Sequence, residues 1–191
     1  MSNTIWVIAQ QREGKLHKMS FEAIKAGQVL AEMVGGTVEA IVIGSQIEEA
    51  ASQLAACDLG AVRVIDSPDL ADYTPGAYVA ALEAAAGNFS PSYLIFPHTY
   101  QTVDYAPRLA QTLNAALVPE VTAVEKDESG PIWRRPVMSG KLEARVRARG
   151  EGPVVVSVQS AAFPGDEVSR GEAPIEALSL DEGTAKADRE I

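Results

Sequence analysis

A single cysteine, Cys57, is present among 191 residues, so the chain can form no intrachain disulfide and contains no CxxC redox pair. Cys57 falls in the apolar helical run Leu54-Ala55-Ala56-Cys57 and reads as a small core residue. There are two histidines, His17 and His98, neither with a partner at metal-ligand spacing, which argues against a zinc site. No apolar run approaches the roughly 18 residues that a membrane span needs, and Met1 is followed by neither a cationic stretch nor an apolar signal segment. The expected compartment is therefore a bacterial-type cytoplasm, without membrane insertion. Excess positive charge is also missing. The formal net charge is −10, which disfavours nucleic acid and anionic membranes as partners.

The phosphate-binding glycine motifs are absent as well. No GxGxxG follows the first predicted strand, where the loop reads Gln10-Gln11-Arg12-Glu13-Gly14-Lys15, and no GxxxxGK[ST] occurs anywhere. The fourth predicted strand leads into Pro97-His98-Thr99-Tyr100-Gln101-Thr102-Val103-Asp104, which has no glycine to let backbone N–H groups approach a phosphate. A universal-stress-like nucleotide-binding module, the alternative reading of such a chain, would want a glycine-rich turn there.

What is present is an alternation of strands and helices. Thr4–Ala9, Thr37–Ile43, Ala61–Ile65 and Tyr93–Phe96 are short, nearly continuous apolar runs rich in β-branched residues, as strands buried on both faces require. Between them, Ala23, Ile24, Gly27, Leu30, Ala31 and Val34 recur on one helical face, with Glu22, Lys25, Gln28 and Glu32 on the other. Ser45-Gln46-Ile47-Glu48 has capping-box spacing for a second helix, and Thr74-Pro75 fits the N-cap and first turn of a third. A fourth helix is expected from about Thr102, with Asp104 as N-cap and Pro107 in the first turn. After Leu117 the helices stop. Pro119–Lys126, Pro131–Val137, Lys141–Arg149 and Val154–Gln159 read as strands, taken as antiparallel additions. The fold class is thus α/β, a three-layer sandwich on a mainly parallel, doubly wound, Rossmann-like sheet (of the adenine-nucleotide-hydrolase-like type) with an antiparallel extension. Residues 1–164 are expected to form the domain. Residues 165–191 hold eight acids against three bases and read as an acidic linker or wrapping tail, with Pro174–Leu180 able to add a short strand.

Three groups of side chains qualify as candidate sites. His98 ends a strand but has no sequence-adjacent carboxylate or nucleophile, and reads as a hydrogen-bonded loop or interface histidine rather than a general base. A hydrolase-like pairing of His98 with Asp104 is a minor alternative, since Asp104 and Arg108 suit an i,i+4 pair. Arg134, Arg135, Lys141, Arg145, Arg147 and Arg149 form a basic stretch in an acidic protein. They read either as a solvated strand face, neutralised by the acidic tail, or as a docking surface for another domain or subunit.

Several stretches together resemble the electron transfer flavoprotein alpha subunit family. They are Ile5-Trp6-Val7-Ile8-Ala9 with Gly14-Lys15-Leu16 and Ser20-Phe21-Glu22-Ala23; Asp104-Tyr105-Ala106-Pro107-Arg108-Leu109-Ala110; Arg135-Pro136-Val137-Met138-Ser139-Gly140-Lys141 with Ala144-Arg145-Val146; and Ser157-Val158-Gln159-Ser160-Ala161-Ala162-Phe163-Pro164. The family often places a glycine and a basic residue before the helix aspartate, where Thr102 and Val103 stand here. The resemblance is to the amino-terminal domain. It implies a structural and docking role beside a beta subunit and an FAD domain, in a carrier passing electrons from dehydrogenases to an acceptor. It also implies no catalytic, metal or cofactor-binding residues in this chain, FAD held elsewhere in the intact complex, and AMP, where present, in the beta subunit. The family continues into a second domain that supplies most FAD contacts. This chain stops at Ala187–Ile191, so that domain is expected as a continuation or a separate downstream reading frame.

Overall fold

The computed structural model describes residues 3–181 and 183–185. The chain opens with β1 (Asn3–Ala9), a small hairpin of β2 (Gln11–Arg12) and β3 (Lys15–Leu16), then α1 (Met19–Val34) and β4 (Gly36–Gly44). It continues through α2 (Glu48–Ala55), β5 (Ala61–Asp66), α3 (Pro75–Phe89), β6 (Tyr93–Pro97) and α4 (Tyr100–Thr112) to β7 (Ala116–Val121). An antiparallel block follows, β8 (Ala123–Asp127), β9 (Gly130–Val137) and β10 (Leu142–Val146), and then β11 (Val154–Val158) and β12 (Ile175–Ala177). The central sheet has seven strands in the order β12-β5-β4-β1-β6-β11-β7, with every pairing parallel.

The apolar runs become strands because both faces of this sheet are covered. In β1, Ile5, Val7 and Ala9 point into a core shared with α1 and α2, through Ala23, Ile24, Leu30, Ala50 and Leu54. Trp6 and Ile8 point to the opposite core, built with Ala81, Leu82 and Ala85 of α3 and Tyr105 and Leu109 of α4. The α/β three-layer class read from the alternating pattern is the observed one. α1 ends on Gly35, whose φ of 68° lets its N–H return to the Ala31 carbonyl, a left-handed close that glycine makes without a Cβ penalty.

Three local expectations are corrected. The capping box at Ser45 does not form. The Asp66 carboxylate accepts from the N–H groups of Gln46 (3.0 Å) and Ile47 (3.1 Å) instead, an acceptor from the neighbouring strand end that a local pattern cannot reveal. The fourth helix begins earlier than expected. Thr99 is its N-cap, accepting from Thr102 N (3.2 Å), so Asp104 is inside the helix and Pro107 is an interior proline. Thr74 caps α3 as the sequence indicates, with Pro75 opening the helix.

The third correction concerns the strands after Leu117. The antiparallel strands form a separate three-stranded sheet, β10-β9-β8, rather than lengthening the central one. The expected strand Pro119–Lys126 divides at Thr122 into β7, which stays in the parallel sheet, and β8, which turns into the small one. β11 returns to the central sheet, parallel between β6 and β7. Its run of Val-Val-Val-Ser-Val suits a strand buried on both faces, but burial does not encode strand direction.

The segment after Phe163 crosses the α1 side. Its 3-10 turn Gly165–Glu167 meets α1, Ser169 N bonds Gln28 Oε1 (3.0 Å), and Arg170 bridges Cys57. β12 then adds a parallel edge strand beside β5, within the Pro174–Leu180 stretch singled out for this. Cys57 is fully buried, and that burial pushes its thiol pKa up against the opposing pull of Arg170, which keeps it unreactive. Among the described residues no helix is long and apolar enough to cross a membrane.

Candidate functional site

On a doubly wound sheet the ligand crevice lies beyond the carboxyl ends of the strands, where the winding reverses. Here α1 and α2 carry the chain from β1 to β4 to β5, and α3 returns it to β6 on the other side of β1. The reversal point is therefore between β1 and β6. A crevice of about 470 Å³ opens there, lined by Gln10, Gln11, Arg12, Tyr73, Tyr78 and Gln101 among others. A larger groove of about 720 Å³ lies at the opposite, amino-terminal end of the strands, away from where such sheets bind ligands.

A dinucleotide phosphate would sit against backbone N–H groups at helix N-termini, and several of those at this rim already have acceptors within the chain. At α4, Thr102 N is bonded to Thr99 Oγ1, whose hydroxyl donates to Gln10 Oε1 (2.6 Å), tying the loop after β6 to the end of β1. At α1, Met19 N faces His17 Nδ1 (3.3 Å) and Ser20 N bonds the His17 carbonyl (2.9 Å). At α2 the acceptor is the Asp66 carboxylate, which repels a phosphate. Gln11 closes the remaining space. Its Oε1 accepts from Gly14 N (3.0 Å) and its Nε2 donates to the Ile43 carbonyl (2.9 Å), against Gly44, where any Cβ would collide with it. The floor is aromatic. Tyr78 stands edge-on to Tyr73 (5.0 Å) and Tyr105 (5.7 Å), and burial raises the pKa of both Tyr78 and Tyr105 so that they remain neutral. The rim thus offers a phosphate no glycine-rich cradle, with Asp66 at the start of α2 and the Gln11 side chain packed against Gly44.

Thr99 joins both halves of this rim. Thr99→Ala is expected to cost about 1–2 kcal/mol, the upper range for an N-cap because the Gln10 tie is lost with it. Urea denaturation would measure this; an unchanged midpoint would show that the tie contributes nothing.

Beside the crevice, a second constellation involves β6, β11, β7 and β9. His98 Nδ1 is 2.8 Å from Ser157 Oγ, and His98 Nε2 is 3.5 Å from Glu120 Oε1. Glu120 Oε2 in turn accepts from Arg135 Nη2 (3.3 Å). Glu120 reaches these partners through a bulge. Pro119 and Glu120 together oppose the single residue Ser157, and Glu120 takes a left-handed φ of 58°. That conformation costs a non-glycine residue about 1 kcal/mol, and it directs Glu120 N onto Ser157 Oγ (3.2 Å). His98 thus has the hydroxyl and carboxylate partners that its sequence neighbours do not supply. Asp104 is not one of them, since it accepts from Tyr73 OH (2.8 Å).

The trio resembles a nucleophile–base–carboxylate set, but its hydroxyl is buried and neighbouring N–H groups are engaged. Ser157 is only 2% exposed, and the surrounding N–H groups that could hold an oxyanion are spent. His98 N bonds the Val158 carbonyl, Thr99 N the Pro97 carbonyl and Gln159 N the Val121 carbonyl. Ser157, His98 and Glu120 therefore form a hydrogen-bonded seam that joins three strand ends. An apolar pocket of about 300 Å³ adjoins it, walled by Val103, Pro107, Leu117 and Pro119.

The basic stretch divides between two faces of the small sheet. Arg134 and Arg145 share the outer face with Glu125, which accepts from Arg134 (3.3 Å) and Arg145 (2.8 Å), while Glu143 accepts from Arg134 (2.6 Å). Arg135 lies on the inner face, toward Glu120. Arg147 is beyond the end of β10 and bonds Asp127 (2.6 Å). Lys141, on a turn, and Arg149, in the irregular segment after β10, are exposed with no acidic partner among the described residues. The neutralising acids thus come from β7, β8 and β10 and not from the tail, whose Glu176 instead pairs with Arg63. Only the register of β8 against β9 could have revealed this.

The family model of the electron transfer flavoprotein domain matches residues 5–183. The chain belongs to the electron transfer flavoprotein domain family. It is similar to the electron transfer flavoprotein subunit alpha of Syntrophomonas wolfei, 32% identical over 154 residues, covering 81% of this chain and 47% of that protein. The protein FixB of Clostridium saccharobutylicum is 32% identical over 161 residues, 83% of this chain and 48% of FixB. The acryloyl-CoA reductase electron transfer subunit beta of Anaerotignum propionicum is 34% identical over 123 residues, 64% of this chain and 34% of that protein. The chain spans about half the length of the alpha-subunit and FixB relatives. The alpha-subunit resemblance carried by the motifs is thus shown, and it covers the parallel-sheet domain that bears this crevice.

Proposed function

We propose that this electron transfer flavoprotein domain is a structural and docking unit of the alpha type and does not hold the flavin itself. The observation that carries this reading is the set of acceptors that the chain itself places against backbone N–H groups at the starts of α1, α2 and α4. Each N-terminus at the carboxyl rim is engaged by an acceptor of the chain's own, and one of these is a carboxylate. In the assembled carrier FAD would sit in another domain, with a beta subunit as neighbour and AMP, if present, on that subunit. Dehydrogenases would deliver electrons to that flavin, in the cytoplasm, with no covalent chemistry on this chain. Of the basic residues, Lys141 and Arg149 are the ones left to meet acidic groups on another subunit or domain, since Arg134, Arg135, Arg145 and Arg147 are matched within the chain.

Titration of the purified chain with FAD tests the reading. The expected result is no stoichiometric quenching of flavin fluorescence at micromolar chain, together with a stable complex on adding a beta subunit and an FAD domain. Stoichiometric, tight flavin binding by the chain alone would overturn it.

A further inference from the structure

β10 pairs with β9 along one edge, and no strand among the described residues pairs with the other. The direction of its backbone groups follows from its neighbours. The Arg134 carbonyl accepts from Thr122 N (2.8 Å) on the β8 side. Polar groups alternate in direction along a strand, so Trp133, Arg135 and Val137 turn theirs toward β10, where Val146, Ala144 and Leu142 stand opposite. The N–H and C=O groups of Glu143 and Arg145 therefore face outward. Among the described residues no strand pairs with them. Leu142, at the start of this edge, is 62% exposed.

The edge matches itself. Leu142–Val146 reads Leu-Glu-Ala-Arg-Val. Laid antiparallel on its own copy about a two-fold axis through Ala144, Leu142 meets Val146, Glu143 meets Arg145, and Ala144 meets Ala144. The outward-facing residues Glu143 and Arg145 then become the pairs that exchange backbone hydrogen bonds. The two alanines occupy the closely spaced pair between them, at a Cα separation of about 4.5 Å, where a small side chain fits. Sliding the register by two residues either way sets Glu143 against Glu143 or Arg145 against Arg145, which opposes that alignment. The outer face already carries alternating charges in contact, Arg134 with Glu143 and Glu125 with both arginines, and the pairing continues this ladder across the axis.

We propose that the free edge of β10 pairs with β10 of a second copy of this chain, joining two small sheets into one six-stranded antiparallel sheet. This goes beyond the flavoprotein reading and does not depend on it. A five-residue strand pair buries less than a standard stable interface, so the dimer forms in a concentration-dependent manner.

Ala144→Cys in the full chain is the test. Two residues in the closely spaced pair lie within disulfide reach, and the sole native thiol, Cys57, is buried and does not compete. Mild oxidation is expected to link most of the chain into a species of twice the 20.2 kDa mass, while Ser139→Cys at the exposed hairpin tip stays largely monomeric. In sedimentation equilibrium, Arg145→Glu places like charges opposite each other twice and is expected to weaken dimerisation roughly tenfold. Adding Glu143→Arg to it restores complementarity and should recover most of that loss. The charge series decides the matter if Ala144→Cys fails to fold, as judged by circular dichroism. Cross-linking no faster at position 144 than at 139, or a chain that is monomeric at every concentration, would overturn the proposal. So would an edge that pairs only with a different subunit.

Discussion

Arg63→Ala is expected to remove about 3 kcal/mol of folding stability, read as a lowered urea midpoint at neutral pH. Arg63 is a charged residue in the interior strand β5, with its side chain only 11% exposed. Its Nε and Nη2 form a fork on the Glu39 carboxylate (2.7 and 2.8 Å), and its Nη1 reaches Glu176 of β12 (2.7 Å). Its guanidinium also lies 4.1 Å from the centre of the Phe89 ring. Trp6 Nε1 donates to the same Glu39 carboxylate (2.9 Å), so one carboxylate joins β1, β4 and β5, and the arginine adds β12. Truncating the arginine strands a largely buried negative charge, and that penalty exceeds the worth of the pair itself. The double variant Arg63→Met with Glu39→Gln should recover most of the loss. If the double variant is as unstable as the single one, packing rather than stranded charge is responsible.

The same network sets an acid limit. Burial works to raise the Glu39 pKa, but hydrogen bonds from Arg63 and Trp6 and the Arg63 charge outweigh it and hold the carboxyl below its ordinary value. A carboxyl depressed in the folded state stabilises the fold above its unfolded pKa, about 4.3. That contribution is lost as pH falls through the lower folded value. The neutral double variant should therefore lose less stability than the parent over that acid range.

Trp133→Ala is expected to cost about 3–5 kcal/mol, the usual range for emptying a buried tryptophan site. Trp133 is 3% exposed at the centre of β9, between Val124 of β8 and Val146 of β10, with its ring 6.2 Å from Tyr93 of β6. Its ring contact with Tyr93 joins the small sheet to the central one. Native-state hydrogen exchange should show β8–β10 losing protection first, while β1, β4 and β6 retain theirs. An even loss across both sheets would mean that the small sheet has no separate opening. Because Arg135 sits on this inner face, loosening it should also release Glu120 and the His98 seam.

How much was legible beforehand depended on how local the cause was. The four apolar runs and the intervening helical faces identified β1, β4, β5 and β6 nearly to the residue, because covering a sheet on both faces leaves a mark on every position of a strand. Thr74-Pro75 was legible because an N-cap and its target lie three residues apart. The capping of α2 was not, since Asp66 lies 19 residues from Ile47 and meets it only when β4 and β5 pair in parallel. The carboxylate partner of His98 was hidden for the same reason. Glu120 turns toward it only because a bulge against Ser157 places it in a left-handed conformation. Arg63 gives no signal in the sequence, because the role of a charge inside an apolar strand emerges only once Glu39 and Glu176 flank it.

The sequence by itself determined the layer architecture, the family and the absence of a glycine-rich cradle, since periodicity, ordered motifs and glycine content are properties of neighbouring residues. Tertiary structure alone decided where the charges go. It spread the basic stretch over two faces of a separate sheet, matched four of the arginines with acids from other strands, and left β10 as an edge strand among the described residues. Pairing register determines those encounters, and register arises from contacts between residues far apart in the chain.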